Sequence, residues 1–262
     1  MKTRLDAELV RRGLVRSREL AAELISNKSV LVSGIPATKA ATQVDAQTSI
    51  TLKEEGEKFV SRGGFKLNGA LEHFPKIEIS GKNILDAGAS TGGFTDVLLR
   101  RGAEHIYAVD VGYGQMAWEL QNNPKVKVLD RVNIRNISPQ IIDQPVDVVV
   151  ADLSFISLKL VLPALKSVAK KDADFLLMVK PQFEVGKENL GAGGVVRENA
   201  LRKAAVLDVA NHAFSLGLGC LGVVASDLPG PSGNVEYFLW LKENAPALLE
   251  VDLDNAIALG PQ

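Results

Sequence analysis

Four ionisable side chains stand where they could carry out acid–base chemistry on a hydroxyl group. They are Lys66, Asp152, Lys180 and Glu236. Lys180 is the most informative of them, because it directly follows the apolar run 175–179 and precedes Pro181, a context unusual for a surface lysine. A lysine among carboxylates and other lysines can act as a base once its pKa falls enough to populate the neutral amine. A ribose 2′-hydroxyl is a poor nucleophile that needs such a base or a strongly cationic neighbour.

A second chemical signal lies in residues 84–94, where an apolar strand runs into a glycine-rich turn and then a helix. Asp86 closes the strand, and Ser90 stands where a dinucleotide fingerprint has its second glycine. An acid at this position repels a pyrophosphate but suits the amino group and positive sulfonium of S-adenosylmethionine. Asp110 and Asp130 end the next two predicted strands, where they could bind ribose hydroxyls and adenine, although an acid at Asp110 serves NAD equally well. The predicted cofactor residues are Asp86, Gly88, Ser90, Gly92, Gly93, Phe94, Asp110, Asp130 and Asp152.

The sequence disfavours two other acceptors for a methyl group. Transfer to an amino group on a base usually uses an Asn/Asp-Pro-Pro-Tyr/Phe segment after the fourth strand, whereas residues 152–155 read Asp-Leu-Ser-Phe. Transfer to carbon 5 of a pyrimidine needs a cysteine nucleophile, and the one cysteine, Cys220, lies in a late strand far from the cofactor turn. A hydroxyl acceptor is therefore favoured.

The elements that must position these residues alternate between strand and helix from residue 83 to residue 241. This alternation predicts an α/β fold with a doubly wound, mostly parallel sheet. The link between the strands 221–225 and 235–241 is too short for a crossover helix, so these two strands should pair antiparallel. A Rossmann-like sheet with an antiparallel last strand is typical of class I S-adenosylmethionine methyltransferases. The carboxyl ends of its strands form the edge at which ligands bind.

Residues 1–56 differ from the rest and predict a small α+β domain, followed by a linker at 57–62 and the larger domain at 63–262. Two short amphipathic helices are predicted, with Ser17 as the N-cap of the second, and then a small β-sheet. Basic residues exceed acidic ones in the helical part, which suggests an interaction surface. The candidate RNA-binding residues are Arg4, Arg11, Arg12, Arg16, Arg18 and Lys39.

Composition sets the remaining limits. The chain has 262 residues, of which 46% are hydrophobic and 23% charged, and its net charge is −1, so any affinity for nucleic acid must come from local patches. A single cysteine excludes a disulfide framework or a cysteine-rich zinc module within the chain. The charged N-terminus does not resemble a signal peptide. We therefore expect a cytoplasmic protein without a bound metal or membrane segment, and favour a monomer.

Family resemblance sharpens these expectations. Residues 4–39 resemble the S4 RNA-binding domain in the order of their basic and apolar positions. Together with the segments 61–67, 86–94, 151–155, 180–184 and 234–236, the whole chain resembles the TlyA family, whose members are similar to FtsJ-type ribose 2′-O-methyltransferases. The resemblance places the family's Lys-Asp-Lys-Glu tetrad on Lys66, Asp152, Lys180 and Glu236. It implies S-adenosylmethionine as methyl donor and a cytidine 2′-hydroxyl of ribosomal RNA, free or in ribosomal subunits, as acceptor.

The chain departs from the family at one segment, and three competing functions remain open. The best-known actinobacterial branch has an Arg-x-Trp-Val segment in its linker, whereas residues 57–60 here read Glu-Lys-Phe-Val, so a role of this linker in cofactor affinity is in doubt. The family is often labelled haemolysin, but no spanning or strongly amphipathic segment is visible. The second competing function is RNA binding without turnover, against which the intact tetrad argues. The third is an NAD-dependent reaction, against which Asp86 and Ser90 argue.

Overall fold

The computed structural model describes residues 2–15, 17–45, 47–52, 59–230 and 232–261. Its contacts divide the chain into two compact units, Met1–Lys58 and Phe59–Gln262. Arg16 and the linker residues Glu57 and Lys58 lie outside the described residues.

The N-terminal unit packs two helices with short strands around a small apolar core. Its elements are β1 (Thr3–Arg4), α1 (Leu5–Arg11), α2 (Arg18–Ser26), β2 (Val30–Val32), β3 (Ile35–Pro36), β4 (Gln43–Val44) and β5 (Ile50–Leu52). As expected for an N-cap, the Ser17 hydroxyl accepts a hydrogen bond from the amide of Leu20 at 3.2 Å. Strand β2 pairs antiparallel with both β3 and β5. The pairing of β1 with β4 was not predicted, because strands of two residues carry no readable alternation.

The C-terminal unit is built on one seven-stranded sheet. Its strands are β6 (Asn83–Ala87), β7 (His105–Val109), β8 (Val126–Leu129), β9 (Val146–Ala151), β10 (Ala169–Val179), β11 (Leu218–Ala225) and β12 (Tyr237–Glu243). Its helices are α3 (Arg62–His73), α4 (Gly93–Arg100), α5 (Trp118–Gln121), α6 (Leu162–Val168), α7 (Asn199–Ser215) and α8 (Glu250–Leu259).

Strand order in this sheet is β11-β12-β10-β9-β6-β7-β8. The neighbours from β10 to β8 run parallel, whereas β12 is antiparallel to both β10 and β11. The predicted fold class is therefore confirmed, including the antiparallel last strand. Apolar clusters cover both faces of the sheet, which explains why its central strands are continuous apolar runs.

Several element bounds differ from those predicted. The helix expected at 115–121 is limited to α5, and the one expected at 158–168 begins as a 3-10 turn at Leu158–Leu160 before α6. Strand β10 begins at Ala169, six residues before the predicted start, and its register against β9 shifts between Ala169 and Asp174. The sequence did not predict α8. Among the described residues no helix has the length and apolar character needed to cross a membrane.

Candidate active site

Two ion pairs of lysine and carboxylate dominate the carboxyl edge of the sheet. The Lys180 ammonium lies 2.5 Å from Asp152 Oδ1 and donates a hydrogen bond to Ser154 Oγ at 3.0 Å. Lys180 directly follows β10 and Asp152 directly follows β9, two neighbouring parallel strands, so their side chains leave the sheet at the same edge. This pair stays accessible, since the side chains are 11% and 22% exposed.

The second pair joins α3 to the last strand. Lys66 Nζ donates to Glu236 Oε2 at 2.5 Å, and the two side chains are 7% and 1% exposed. Charges buried to this degree are tolerated only as an ion pair, because a single buried charge would lose its hydration with no counter-charge to compensate. Lys180 and Glu236 line the same cavity of about 1000 Å³, so one member of each pair faces a common space.

We expect the buried pair to be essential for stability as well as chemistry. Lys66→Met should lower the free energy of unfolding by about 3–5 kcal/mol, because Glu236 would remain buried without a counter-charge. The double variant Lys66→Met/Glu236→Gln should recover most of this loss, since it removes both charges. Urea unfolding of the three proteins measures both effects. If Lys66→Met were as stable as the wild type, water and not Lys66 would compensate the buried charge of Glu236.

The glycine-rich turn after β6 is closely fitted against two neighbouring segments. Gly88 has φ +87°, and a side chain there would place a Cβ 2.5 Å from the carbonyl oxygen of Asp152. A Cβ on Gly93 would overlap the hydroxyl of Ser61. Only glycine fits such close approaches of backbone. Ser61, which precedes α3 as its N-cap, was not among the predicted site residues, although its hydroxyl accepts from Gly63 N at 3.3 Å.

A second cavity of about 440 Å³ adjoins this turn and is deep enough to hold a small cofactor. Four predicted cofactor residues line it, namely Gly88, Ser90, Asp110 and Asp152. Asn133, Ser154, Phe155 and Ile156 line both this cavity and the larger one, so the two spaces are adjacent. Gly93 and Phe94, with Ser61 and Asp152, border a smaller cavity of about 110 Å³ at the same turn.

Two of the predicted acids, Asp110 and Asp130, hold the loops around the turn. Asp110 accepts hydrogen bonds from the amides of Ser90 at 2.8 Å and Gly112 at 2.7 Å, and Asp130 accepts from Gly114 N at 2.8 Å. Gly92 is the N-cap of α4, with φ +95°.

Asp86 is fully buried beneath the turn. Its Oδ2 accepts from the Thr95 hydroxyl at 2.6 Å, while Oδ1 has no hydrogen-bond partner among the described residues. Burial raises the pKa of Asp86 to about 7, against the Thr95 hydrogen bond, and the nearby Asp152 and Asp110 carboxylates raise it further. An unpaired, reluctantly ionised carboxyl oxygen fits a cationic group bound close by.

Phe155 is a site residue that sequence reasoning missed. Its side chain is 91% exposed, its φ is +63°, and its ring lies 5.0 Å from that of Phe183. A bulky residue in the left-handed region is strained, and such strain concentrates at functional sites. In a sequence, a phenylalanine beside apolar residues is expected in the core, so no signal there identified it.

The four described arginines among the predicted RNA-binding residues lie on or next to α1 and α2, and each is paired with an acid. Arg4 and Arg18 share Asp6, at 3.1 and 2.8 Å, and Arg11 and Arg12 share Glu8, at 2.6 and 2.8 Å. These arginines hold the pKa of Glu8 at about 2 and that of Asp6 far below its ordinary value, against the effect of burial. Lys39 is exposed.

Arg12 differs from the other arginines in this group. It also donates to the carbonyl oxygens of Thr48 and Asp45, both at 2.9 Å, and its side chain is only 21% exposed, against 48–61% for Arg4, Arg11 and Arg18. Arg12 therefore contributes mainly to holding the unit together. In the part of the chain that the structure describes, no group of three or more metal-ligating side chains is present.

Two known families match the two units. The profile of FtsJ-like methyltransferases matches residues 59–243, and that of S4 domains matches residues 3–50. A solved S-adenosylmethionine-dependent methyltransferase structure from Listeria monocytogenes, 14% identical, shares this fold with a TM-score of 0.51 over 68% of this chain and 100% of the other.

Full-length relatives cover both units. The chain is 56% identical to a 16S/23S rRNA (cytidine-2′-O)-methyltransferase TlyA from Mycobacterium tuberculosis, over 99% of each chain. It is 34% identical to a 23S rRNA (cytidine-2′-O)-methyltransferase TlyA from Campylobacter jejuni, over 87% of this chain and 95% of the other. A structure from Streptococcus thermophilus that carries the name hemolysin is 34% identical, with a TM-score of 0.75 over 98% and 94% of the two chains.

Proposed function

We infer the chemistry of this site from the premise that the chain belongs to the FtsJ-like methyltransferase family, as an S4-containing member of the TlyA type. It is a methyltransferase, and its substrate is a ribose 2′-hydroxyl of ribosomal RNA, that of a cytidine. The observation that carries this proposal is the Lys180–Asp152 ion pair beside two adjoining cavities, one suited to a methyl donor and one to a nucleotide.

The smaller of these cavities fits S-adenosylmethionine by its chemistry. Gly88 lets the backbone approach a ligand, and Ser90, Asp110 and Gln115 offer polar groups. Asp86 lines neither of the two cavities, but its unpaired carboxyl oxygen is buried two residues before Gly88. When bound, S-adenosylmethionine supplies a methyl group on a positively charged sulfur. Asp130 lies farther along the same edge, at the end of β8, and we retain it as an adenine contact.

The larger cavity suits a nucleotide. Phe155 presents an exposed aromatic ring at its wall, supported by Phe183, and RNA-binding sites commonly stack unpaired bases on such rings. Lys180 faces the same space, so a base stacked on Phe155 would bring its ribose toward this lysine. The position of Phe155 between both cavities favours a substrate whose base and sugar approach the donor together.

Four side chains of the chain handle the proton. A ribose hydroxyl must lose its proton as its oxygen attacks. Lys180 accepts that proton as the neutral amine, so its ammonium must first release a proton to solvent. Asp152 and Ser154 hold that amine in place and stabilise the ammonium that results. Glu236 faces the cavity, its charge balanced by Lys66, and orients the hydroxyl by accepting a hydrogen bond.

RNA recognition belongs to the N-terminal unit, through its exposed guanidinium groups. Arg11→Ala and Arg18→Ala should each weaken binding to ribosomal RNA and lower the slope of log affinity against log salt by about 1, because each variant neutralises one phosphate fewer. Arg12→Ala should leave that slope unchanged but lower the melting temperature, since it removes two hydrogen bonds to the backbone. Filter binding at several salt concentrations separates the cases. An equal slope for all variants would contradict phosphate contact at Arg11 and Arg18.

Asp86 makes cofactor binding sensitive to pH. Its pKa of about 7 means that at lower pH the carboxyl is protonated and gains nothing from a cation nearby. Affinity for S-adenosylmethionine should therefore tighten by up to about tenfold from pH 6 to pH 8 and then level off. Asp86→Asn should bind weakly and lose this dependence. Calorimetric titration measures both proteins, and a pH-independent wild type would contradict this role.

The raised pKa of Asp86 also makes the stability of the folded protein depend on pH. Without ligand, the folded protein keeps the Asp86 proton to about pH 7, whereas the unfolded chain releases it near its ordinary pKa of 3.8. The contribution of Asp86 to the free energy of unfolding is therefore fully present below pH 3.8 and is lost as pH rises through 7. The Asn variant lacks this fall, so its melting temperature should exceed that of the wild type above pH 7.

Methyl transfer to ribosomal particles tests the proposed function. The full-length protein is incubated with labelled S-adenosylmethionine and, in separate reactions, with ribosomal subunits lacking the modification, naked ribosomal RNA and transfer RNA. We expect label in ribosomal RNA and none in transfer RNA. Binding of the cofactor with no label in either ribosomal substrate would overturn the proposal.

A further inference from the structure

Two segments that leave neighbouring strands form opposite walls of the active site. The β9 segment, residues 152–158, carries Asp152, Ser154 and Phe155. The β10 segment, residues 180–184, carries Lys180 and Phe183. Inside the cavity they meet through the Lys180 contacts and the Phe155–Phe183 ring pair.

A third contact joins the same two segments. Glu184 ends the β10 segment, and its carboxylate accepts two hydrogen bonds from the end of the β9 segment. Ser157 Oγ donates to Oε2 at 2.5 Å, and the amide of Leu158 donates to Oε1 at 2.8 Å. Glu184 is partly buried, so these donors replace much of the water that its carboxylate has lost.

The pattern of these bonds is specific. Each carboxylate oxygen takes one donor, and the two donors come from adjacent residues at the start of the 3-10 turn Leu158–Leu160. Glu184 thereby fixes where the β9 segment ends. The strained Phe155 lies only two residues before Ser157, so its position depends on that anchor.

We propose that Glu184 is a positioning residue for methyl transfer, which holds the β9 segment against the β10 segment so that Phe155 and Asp152 stay aligned with Lys180. The inference rests on the function proposed above. A displacement of about 1 Å at reacting groups can lower a rate about 100-fold, so a residue that holds the two segments together from outside the cavity can control the rate without touching substrate.

The test is Glu184→Met, which keeps the unbranched length of the side chain but has no carboxylate, so both hydrogen bonds to the β9 segment are lost. Glutamine would not serve, because its carbonyl oxygen can accept from the Leu158 amide while its NH₂ group donates to Ser157 Oγ. We expect kcat for methylation of ribosomal RNA to fall about 10- to 100-fold. The KM for RNA and the Kd for S-adenosylmethionine should stay within about threefold, a change under 1 kcal/mol. Glu188→Met, the same change at an exposed residue four positions on, is the matched control and should match the wild type.

A double-mutant cycle identifies the partner. Ser157→Ala removes one donor and should lower kcat by a smaller factor, while adding it to Glu184→Met should lower kcat little further, because both changes break the same link. Ser157→Ala leaves the Leu158 bond in place and so remains informative if Glu184→Met does not fold.

Three results would overturn the proposal. They are wild-type kcat in Glu184→Met, wild-type kcat in Ser157→Ala, or effects of the two changes that multiply in full. Failure of the wild type to methylate ribosomal RNA would instead refute the proposed function, so the two failures are distinguishable.

Discussion

Replacing Lys180 with alanine should lower the rate of methyl transfer at least about 1000-fold, since proton transfer by a positioned group contributes up to about 10⁴-fold. Lys180 lines the nucleotide cavity with its amine held by Asp152 and Ser154, whereas Lys187, the other lysine of that lining, belongs to neither contact. Affinity for S-adenosylmethionine and for RNA should change less than about tenfold, or 1.4 kcal/mol, because recognition of both depends on other residues. Single-turnover methylation combined with binding titrations measures the three quantities.

Lys180→Arg separates two roles for this residue. A guanidinium keeps the positive charge but cannot accept a proton at any working pH, so the arginine variant should be as inactive as the alanine variant. Lys171→Ala, an exposed lysine near the other end of β10, should retain full activity. If Lys180→Arg kept most of the rate, Lys180 would supply only a positive charge to the developing alkoxide.

Removing the N-terminal unit, to leave residues 59–262, should lower kcat/KM for ribosomal substrate at least about 100-fold. We propose that the exposed arginines of that unit pair with RNA phosphates. Binding weakens with every phosphate that is no longer neutralised, because fewer counterions are released. The cofactor residues all lie in the larger unit, so affinity for S-adenosylmethionine should stay nearly unchanged. Titration of the shortened protein with cofactor, followed by methylation of ribosomal subunits, measures both.

Salt provides the internal control for this deletion. The difference in kcat/KM between the two proteins should shrink as salt concentration rises, because salt weakens the electrostatic binding of RNA that only the full-length protein has. Equal activity of the two proteins at low salt would contradict a docking role for the N-terminal unit.

Sequence patterns predicted the sheet because its signals are local. Each buried strand is a short apolar run, and the brief link before β12 excluded a crossover helix, so the antiparallel pairing could be predicted. The extension of β10 back to Ala169 was not predictable, because residues 170–172 are charged and exposed and lie at a register shift between Ala169 and Asp174, which pair with β9.

The site was less predictable, because its contacts are tertiary. The rule that ligands bind at the carboxyl ends of parallel strands places Asp152 and Lys180 at one edge. The Lys66–Glu236 pair was not predictable, because it joins α3 to the residue before β12, 170 residues away in the chain. The sharing of Glu8 by Arg11 and Arg12 could have been predicted from their three- and four-residue spacing on a helix. The exposure of Phe155 could not, since only its backbone conformation reveals it.

The identity of the methylated nucleoside shows whether Lys180 directs the methyl group to a cytidine 2′-hydroxyl. Ribosomal RNA methylated by the full-length protein with labelled S-adenosylmethionine is digested to nucleosides, which are identified by chromatography and mass spectrometry, with Lys180→Ala as the blank. We expect label in 2′-O-methylcytidine and none in the blank. Label on a base, such as 5-methylcytidine, or label that persists in Lys180→Ala, would contradict it.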